Sequence, residues 1–325
     1  MNNFYIYMSP LTGMVGYGGG GTGLSLNSSA AAKWYGDRGV WFGGLGSTNS
    51  RERIDYVTLS STGNAQDFGD LLDNGYGMSG CSNATRGISA GAADEGTNID
   101  TIEYITFASL SNSTNFGNLT IGRGYTQGCA DGLRGVFFGG ITVTPSFSYN
   151  NEVEYIIIDS ASNATDFGDM TNVCSHPAVF ADSTRAVAAG GGRNNEGNND
   201  DIDYLTIQTL SNCTDFGNCT TDRSGVTGTA DETIGMIAGA YTLSSIDKVT
   251  IQTTANATDW GGSLSGVRAT MGFTCNGTRA VSGGGKDSSG PVDTMDYFTV
   301  TSASNASDFG NLDSSVRILA AASGD

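Results

Sequence analysis

The chain has 325 residues and a formal net charge of −18 at pH 7, from 15 lysines and arginines against 33 aspartates and glutamates. Nucleic-acid binding depends on Lys and Arg neutralising phosphates, so this balance argues against DNA or RNA as a partner. A single histidine, His176, excludes mechanisms that need two histidines of this chain, and 49 glycines beside an apolar fraction of 38% favour an all-β fold over disorder.

The beginning of the chain predicts no export signal and no membrane span. Met1 to Met8 provide neither the basic start nor the long apolar core of a secretory signal. No later run approaches the roughly 18 apolar residues that cross a bilayer. We therefore expect a protein that stays where it is made or leaves by a route other than general export, without inserting into a membrane.

Six similar units then follow one another along the chain. Each contains an acidic residue after an apolar one; these acidic residues are Asp55, Glu103, Glu154, Asp203, Asp247 and Asp296. Each unit later has an aromatic residue followed by glycine, at Phe68, Phe116, Phe167, Phe216, Trp260 and Phe309. Five units have an arginine before an apolar, glycine-rich run, at Arg38, Arg86, Arg134, Arg185 and Arg279. The fifth unit has Ile234 at that position.

Each unit predicts four short strands, named A to D. Strand A precedes the arginine, strand B is the apolar run after it, strand C contains the acidic residue in a period-two pattern, and strand D follows the aromatic-glycine turn. Four strands with glycine-rich corners and no amphipathic helix are typical of one β-propeller blade. We therefore predict an all-β propeller of four-stranded antiparallel blades, as a single domain over residues 1–325.

The two ends of the chain predict how the ring closes. Residues 314–322 have the pattern of a strand A without a following blade, and residues 13–20 that of a strand B without a preceding strand A. Their pairing covers both sheet edges. We therefore favour seven blades, with residues 1–26 and 313–325 closing the ring, and keep six blades as the alternative.

The apolar run ending in Gly-Gly, the strand with Tyr, the later aromatic and the recurring Arg resemble kelch-type β-propeller repeats. The motif Ile202-Asp-Tyr204 and the turn Asn163-Ala-Thr-Asp-Phe-Gly168 resemble repeat proteins in the virions of tailed, especially marine, bacteriophages. That resemblance implies a tail, fibre or capsid-associated particle component. It also implies localisation in the virion, after synthesis in the host cytoplasm, with other virion proteins or a host-surface receptor or glycan as partners.

Several motifs have structural interpretations. The Asp-Phe-Gly sequences lack the other parts of a kinase, so we expect Asp to cap a turn, Phe to pack between blades and Gly to turn the corner. The recurring arginines predict a ring that pairs with the repeated carboxylates of neighbouring strands; anion or glycan binding is the alternative. His176 is expected to be a structural histidine bonded to a partner or lying at the rim.

The six cysteines predict small buried side chains rather than a disulfide framework. Cys213 and Cys219, on either side of Phe216, are the only two that could form a disulfide. No Cys-x-x-Cys spacing indicates zinc. The acidic segment 194–201 leaves a weak Ca²⁺ site open at Asp200 and Asp201, and otherwise we expect no cofactor.

The B–C connections vary in length between units, whereas the spacing across the C–D connection is constant. Variable loops on a rigid scaffold are where recognition is usually located, and in this strand order the B–C and D–A connections share one face. The predicted contact residues are Phe147, Tyr149, Asn150, Asn194, Glu196 and Asp200.

Two classes of function follow. The first is a non-enzymatic virion component that presents a rigid propeller for protein–protein or host-surface contact. The alternative is a carbohydrate-binding or glycan-hydrolysing propeller. The single histidine and the absence of a paired catalytic motif favour the first class.

Overall fold

The computed structural model describes residues 34–193 and 197–325, which form a six-bladed β-propeller without helices. The strands, from A at the axis to D at the edge, are Ala320–Gly324, Arg38–Leu45, Ser50–Thr58 and Gln66–Gly75 in blade 1; Ser79–Ser82, Arg86–Asp94, Thr97–Thr106 and Thr114–Asn118 in blade 2; Gln127–Ala130, Arg134–Phe138, Glu152–Ile157 and Thr165–Asp169 in blade 3; Ala178–Ala181, Arg185–Ala189, Gly197–Thr206 and Thr214–Arg223 in blade 4; Thr227–Ala230, Ile234–Ala238, Ser245–Thr250 and Thr258–Ser263 in blade 5; and Gly272–Cys275, Arg279–Gly283, Val292–Thr299 and Ser307–Val316 in blade 6. Two short pairs extend the B–C connections of blades 3 and 4: Ile141–Thr142 with Ser148–Tyr149, and Gly192–Arg193 with the start of Gly197–Thr206.

The all-β prediction and its four-stranded blades are confirmed, with six blades rather than the favoured seven. Strand Ala320–Gly324 pairs with strand Arg38–Leu45, so the end of the described chain supplies the inner strand of blade 1. This pairing is the physical reason that residues 314–322 start no seventh blade. The proposed partner, residues 13–20, and the rest of segment 1–26 lie outside the described residues.

The apolar core lies between neighbouring blades. Strands B and C alternate their side chains between the two faces of each sheet, so each blade contributes apolar residues to both of its neighbours. Phe138 of blade 3, for example, belongs to the same buried cluster as Leu205 of blade 4. Trp41 of blade 1 likewise packs with Val281 and Met295 of blade 6, which completes the ring.

The repeated carboxylates join each blade to the one before it. All six are buried, and each accepts a hydrogen bond from a backbone N–H in or just after strand D of the preceding blade, with N···O distances of 2.7–3.2 Å. The link from blade 6 to blade 1, Asp313 N to Asp55 Oδ2, belongs to the same set. These bonds satisfy carboxylates that would otherwise be costly to bury.

The repeated arginines are structural, but the predicted pairing with carboxylates is wrong. Each guanidinium lies over the tyrosine ring of its own strand C, 4.2–5.3 Å from the centroid. Each also donates a hydrogen bond to a backbone carbonyl of the next blade, as Arg185 does to Ile251 O at 2.9 Å. Because successive residues of a strand point to opposite faces, an arginine stacked on Tyr204 cannot meet the neighbouring Asp203.

Blade 5 replaces this arrangement with a different one. Ile234 stands in place of the arginine and Lys248 in place of the tyrosine. The equivalent carbonyl of the next blade, Val300 O, instead accepts a hydrogen bond from Trp260 Nε1 at 3.3 Å. Trp260 is the one tryptophan among the six repeated aromatic positions, so three substitutions together preserve one inter-blade bond.

The phenylalanines and glycines of the Asp-Phe-Gly sequences behave as expected, and the expected aspartate cap is present at Asp166. Phe167 is buried and its ring stands edge-on to Tyr155, with centroids 5.8 Å apart. Asp166 Oδ1 accepts the Gly168 N–H at 3.1 Å. Gly168 has a φ of 141°, and a Cβ there would lie 2.7 Å from the Ser211 carbonyl oxygen of the next blade, so both conformation and contact require glycine.

Candidate functional site

The B–C and D–A connections lie on one face, which we call the loop face. Isolated β-bridges join the two kinds of connection in several blades, as between Ser175 and Gly192 and between Ala269 and Lys286. The A–B and C–D turns lie at the opposite ends of the same strands. The predicted sharing of one face is therefore confirmed.

Six residues surround the axis on the loop face, and five backbone hydrogen bonds join them into an open ring, with no bond between Gly225 and His176. The residue two positions before each inner strand has a positive φ between 48° and 73°; these residues are Gly77, Tyr125, His176, Gly225, Thr270 and Ile318. Five bonds join them from N–H to carbonyl at 2.6–2.9 Å: Gly77 to Ile318, Ile318 to Thr270, Thr270 to Gly225, His176 to Tyr125, and Tyr125 to Gly77. These bonds fix the backbone of the residues that surround the axis at the loop face, and with it the positions of their side chains.

An aromatic cluster stands at this axial mouth. The ring of Tyr125 contacts His176 edge-on, with centroids 4.6 Å apart, and Tyr76 at 5.8 Å. Burial, followed by the neighbouring Tyr76, raises the pKa of Tyr125 well above its ordinary value. Burial, assisted by the positive charge of Arg317, lowers the pKa of His176 to about 3. His176 is therefore neutral at physiological pH, as a buried imidazole without a charged partner is expected to be.

His176 is a buried structural residue beside the axis, and its side chain lacks the expected hydrogen-bonded partner. It is 9% exposed, and its Nε2 has no hydrogen-bond partner among the described residues. The ring is held by its contact with Tyr125 and by the backbone bond from His176 N to Tyr125 O. Packing, rather than a side-chain hydrogen bond, positions this residue.

Tyr241 and Arg317 extend the mouth toward blades 5, 6 and 1. Tyr241 is 50% exposed, and its Cε2 lies 2.9 Å from where a Cβ of Gly225 would stand, so its ring covers that part of the axial ring. Arg317 directly precedes Ile318 of the ring and bridges to Leu45. Burial is the main cause that raises the pKa of Tyr241; the charge of Arg317 lowers that pKa and Tyr149 raises it. No carboxylate in the described ranges forms an ion pair with Arg317.

A groove opens beside Tyr241, between blades 5 and 6. Its volume is about 540 Å³, and its lining includes Tyr241, Val267, Lys286, Asp287 and Thr294. Arg268 in its wall bonds Asp296 at 2.6 Å, so that pair neutralises its own charge. The groove is a mixed surface: an exposed aromatic ring, an aliphatic residue, hydroxyls and a lysine.

The structure brings two of the predicted contact residues together on the loop face. Phe147 is 60% exposed and Tyr149 half-buried, and their rings meet edge-on with centroids 5.5 Å apart. Both lie in the hairpin of Ile141–Thr142 and Ser148–Tyr149. Asn150 instead supports the hairpin, because its Nδ2 donates to Thr142 Oγ1 at 2.9 Å and its N–H to Gly140 O at 3.0 Å.

The acidic segment gives a different result. Asn194 and Glu196 lie outside the described residues, and Asp200 is half-buried in the strand that follows. Asp201 forms an ion pair with Arg193 and accepts a hydrogen bond from Asn172 at 3.1 Å. Within residues 34–193 and 197–325, no three His, Cys, Asp or Glu side chains are grouped so as to hold a metal.

The six cysteines are buried and free, including Cys213 and Cys219. Burial raises the pKa of each thiol; for Cys219 it reaches about 12. Neutral thiols are weak nucleophiles and poor metal ligands. The cysteines therefore fill space in the blade cores, as expected.

The sequence interpretation missed the centre of this site. Tyr125, Tyr241 and Arg317 carry no motif, and the equivalent positions of other units hold different residues. It also missed three buried arginines, Arg123, Arg223 and Arg268, which form ion pairs with buried carboxylates. A signal was available at Arg317, because the equivalent position in four other units holds a small residue: Gly124, Ser175, Ser224 or Ala269.

No protein-family model and no curated protein matches the sequence. The chain is a β-propeller, and that fold is compatible with protein–protein interaction. None of the described residues forms a helix that is long and apolar enough to cross a membrane.

Proposed function

We propose that this protein is a non-enzymatic component of a tailed-phage virion that uses its loop face to contact another protein or the host surface. The sequence resemblance supports the particle assignment. The rigid propeller supports a role in presenting loops, because loops fixed on such a scaffold lose little conformational freedom when they bind.

One observation carries the binding role: the side chains that recur in every unit lie between blades, whereas the exposed aromatic side chains that do not recur lie on the loop face. The carboxylates, the arginines and their blade-5 substitute are used within the ring, between blades. The unrepeated aromatics Tyr241 and Phe147 are at least half exposed, and both lie on the loop face. An exposed aromatic pair or cluster on one face is typical of a contact surface.

The same arrangement supports a role without catalysis. The buried carboxylates accept hydrogen bonds from neighbouring strands, and Asp247 and Asp296 also bind arginines. Neutral His176 lies against the ring of Tyr125. Its Nε2 forms no hydrogen bond with a hydroxyl, a thiol or a carboxylate of the described residues. A general acid–base pair needs two groups within reach of a substrate.

The particle assignment is tested by quantitative mass spectrometry of purified virions. We expect a fixed copy number per particle that survives washing with high salt. Absence of the chain from particles, or a variable trace amount, would contradict the assignment.

The contact face is tested by replacing residues 143–148 with a Gly/Ser linker and Tyr149 with Ser. These changes remove Phe147 and Tyr149 but keep Ile141 and Asn150, which hold the scaffold. We expect the melting temperature to change little and incorporation into particles or adsorption to the host to fall at least tenfold. Leu110→Ser, a change at another exposed apolar residue in a C–D turn on the opposite face, is the matched control and should leave both unchanged.

The alternative is a carbohydrate-binding or glycan-hydrolysing propeller. The groove beside Tyr241 favours carbohydrate binding within this alternative, since the volume of the groove falls within the range of small-ligand sites. Release of reducing sugar from a glycan by the purified chain would establish glycan hydrolysis and refute the non-enzymatic role.

A further inference from the structure

Three exposed aliphatic side chains lie at the border of blades 3 and 4, on the face opposite the loop face. Leu133 is 53%, Ile157 42% and Leu210 52% exposed. Leu133 belongs to the A–B turn of blade 3, Ile157 ends strand C of the same blade, and Leu210 belongs to the C–D turn of blade 4. We call these three residues the blade 3–4 patch.

Hydrogen bonds hold the segments that carry the patch against one another. Ile158 donates its N–H to Leu133 O at 3.0 Å, which joins the end of strand C to the A–B turn within blade 3. Across the border, the Arg134 guanidinium donates to Ile207 O of blade 4 at 2.8 Å. Arg134 directly follows Leu133, and Ile207 opens the turn that contains Leu210. The three segments therefore form one continuous surface.

The side chain of Ile157 lies on the blade-4 side of blade 3. Ile157 comes two positions after Tyr155 in strand C, so both side chains project from the same face of the sheet. Tyr155 packs against the apolar cluster between the two blades, which includes Val136 of blade 3 and Leu205 of blade 4. Ile157 is thus at the exposed end of that interface, on the same side as Leu210.

The scaffold does not require aliphatic residues at these places. The equivalents of Ile157 in the other five units are all threonine: Thr58, Thr106, Thr206, Thr250 and Thr299. The equivalents of Leu133 are one aspartate and four threonines: Asp37, Thr85, Thr184, Thr233 and Thr278. The position of Leu210 is leucine in one other unit and threonine or alanine in the remaining four. Single exposed apolar residues are common, but three departures from the repeat at one blade border indicate a contact surface.

The charges around the patch favour a basic partner. The turn ends of blades 3 and 4 contain five carboxylates, Asp131, Asp159, Asp166, Asp182 and Asp215. Two arginines lie there among the described residues, Arg134 and Arg185, and each is stacked over a tyrosine ring. The sequence has no lysine between residues 127 and 223. This surplus of negative charge attracts Lys and Arg, and it repels a second copy of a chain whose net charge is −18.

We propose that the blade 3–4 patch docks a segment of another protein in which aliphatic side chains stand beside lysines or arginines. The aliphatic side chains of that segment cover Leu133, Ile157 and Leu210, and its cations face the carboxylates of blades 3 and 4. The inference goes beyond the proposed function, because it concerns the face opposite the loop face and does not depend on the particle assignment.

Fluorescence anisotropy of labelled peptides with the intact protein tests this inference. The probes are three peptides of about 12 residues, in which leucine alternates with lysine, leucine with glutamate, or serine with lysine. We expect saturable binding of the leucine–lysine peptide and at least tenfold weaker binding of the other two, because each of those lacks either the cations or the aliphatic groups. Added salt should weaken binding of the leucine–lysine peptide without abolishing it, because salt screens only the charges.

A variant with the residues of the repeat locates the site. Leu133→Thr, Ile157→Thr and Leu210→Thr, combined in one protein, introduce threonine, which other units have at each of these positions. We expect this triple variant to keep its cooperative thermal transition and to bind the leucine–lysine peptide at least tenfold more weakly. Leu110→Thr is the matched control, because Leu110 is 54% exposed in a C–D turn on the same face but belongs to blade 2. The control should bind as the unchanged protein does.

Unchanged affinity of the folded triple variant overturns the inference, as does failure of the leucine–lysine peptide to bind the unchanged protein. Equal binding of the leucine–glutamate peptide overturns the basic character of the partner. Analytical ultracentrifugation distinguishes a second copy of the chain as the occupant. Reversible dimerisation that the triple variant loses would overturn the assigned partner, whereas a monomer at all concentrations agrees with it.

Discussion

Trp260→Phe provides a sharp test of how the blades are joined. In the other five blades the equivalent position is phenylalanine, and the carbonyl of the next blade accepts its hydrogen bond from an arginine. In blade 5 the indole of Trp260 is the donor to Val300 O, at 3.3 Å. Phenylalanine would therefore restore the repeat consensus and yet leave this carbonyl without a donor.

The expected loss of stability has two parts. Val300 is 3% exposed, and leaving a buried acceptor unpaired costs about 1–3 kcal/mol. The smaller ring also loses packing against Phe298, whose centroid is 4.6 Å from that of Trp260. Together we expect a decrease of about 2–4 kcal/mol in the free energy of unfolding.

A triple variant tests the mechanism rather than the residue. Ile234→Arg and Lys248→Tyr, added to Trp260→Phe, rebuild the stacked arginine–tyrosine arrangement that donates to the carbonyl in the other blades. We expect this triple variant to recover stability to within about 1 kcal/mol of the unchanged protein, since the buried acceptor regains its donor. Urea denaturation followed by circular dichroism measures all variants.

Trp34→Phe is the matched control, because it is the same chemical change at a half-buried residue in the chain segment leading to blade 1. It should lower stability less than Trp260→Phe does. The reasoning is refuted if Trp260→Phe leaves the free energy of unfolding unchanged, or if the triple variant is no more stable than the single one.

Three further perturbations have defined expectations. Removing residues 320–325 takes the inner strand from blade 1, so the cooperative thermal transition should disappear in calorimetry; a protein that still melts sharply would contradict the closure described above. Arg223→Met removes the cation that lies 3.0 Å from the buried Asp247, so the free energy of unfolding measured in urea should fall by about 3–5 kcal/mol. Arg51→Met, at an exposed arginine, is the control and should lower it by less than about 0.5 kcal/mol. The folded pKa of His176, about 3, lies below its ordinary 6.5, so the unfolded chain takes up the proton first and stability contributed by neutral His176 is lost as the pH falls from about 6.5 toward 3. The control is His176→Asn, because asparagine tolerates the positive φ at this position. Relative to this variant, the free energy of unfolding of the unchanged protein should fall by up to about 1.4 kcal/mol per pH unit in this window. Parallel pH profiles of stability for the two proteins would count against a buried neutral imidazole.

The repeat predicted the blades because each unit contains its own local signals. Alternation in strand C, the glycine after Phe167 and the arginine before strand B act within one blade or at its border. The partner of strand Ala320–Gly324 was not predictable in the same way. Its apolar pattern specifies an inner strand but not which strand B it joins, and that choice depends on how many blades complete the circle.

The candidate site was predicted in part. Variable connections indicated the loop face, and the structure places the rings of Phe147 and Tyr149 together there; their role in binding stays a prediction. The repeated arginines were assigned to the wrong partners because charge suggests a pairing, whereas strand geometry decides which groups meet. Arg317 forms a β-bridge with Leu45, and only the circular arrangement makes residues so distant in sequence neighbours.

The backbone hydrogen bonds from Gly77 to Ile318 give the propeller a second line of attachment between blades. Each bond joins the entries of two neighbouring inner strands, close to the axis and to a central cavity of about 70 Å³. The carboxylates of the strands C join the same blades farther out. Five of the six blade interfaces are therefore attached at two distances from the axis, so a movement of one blade relative to the next has to break bonds at both.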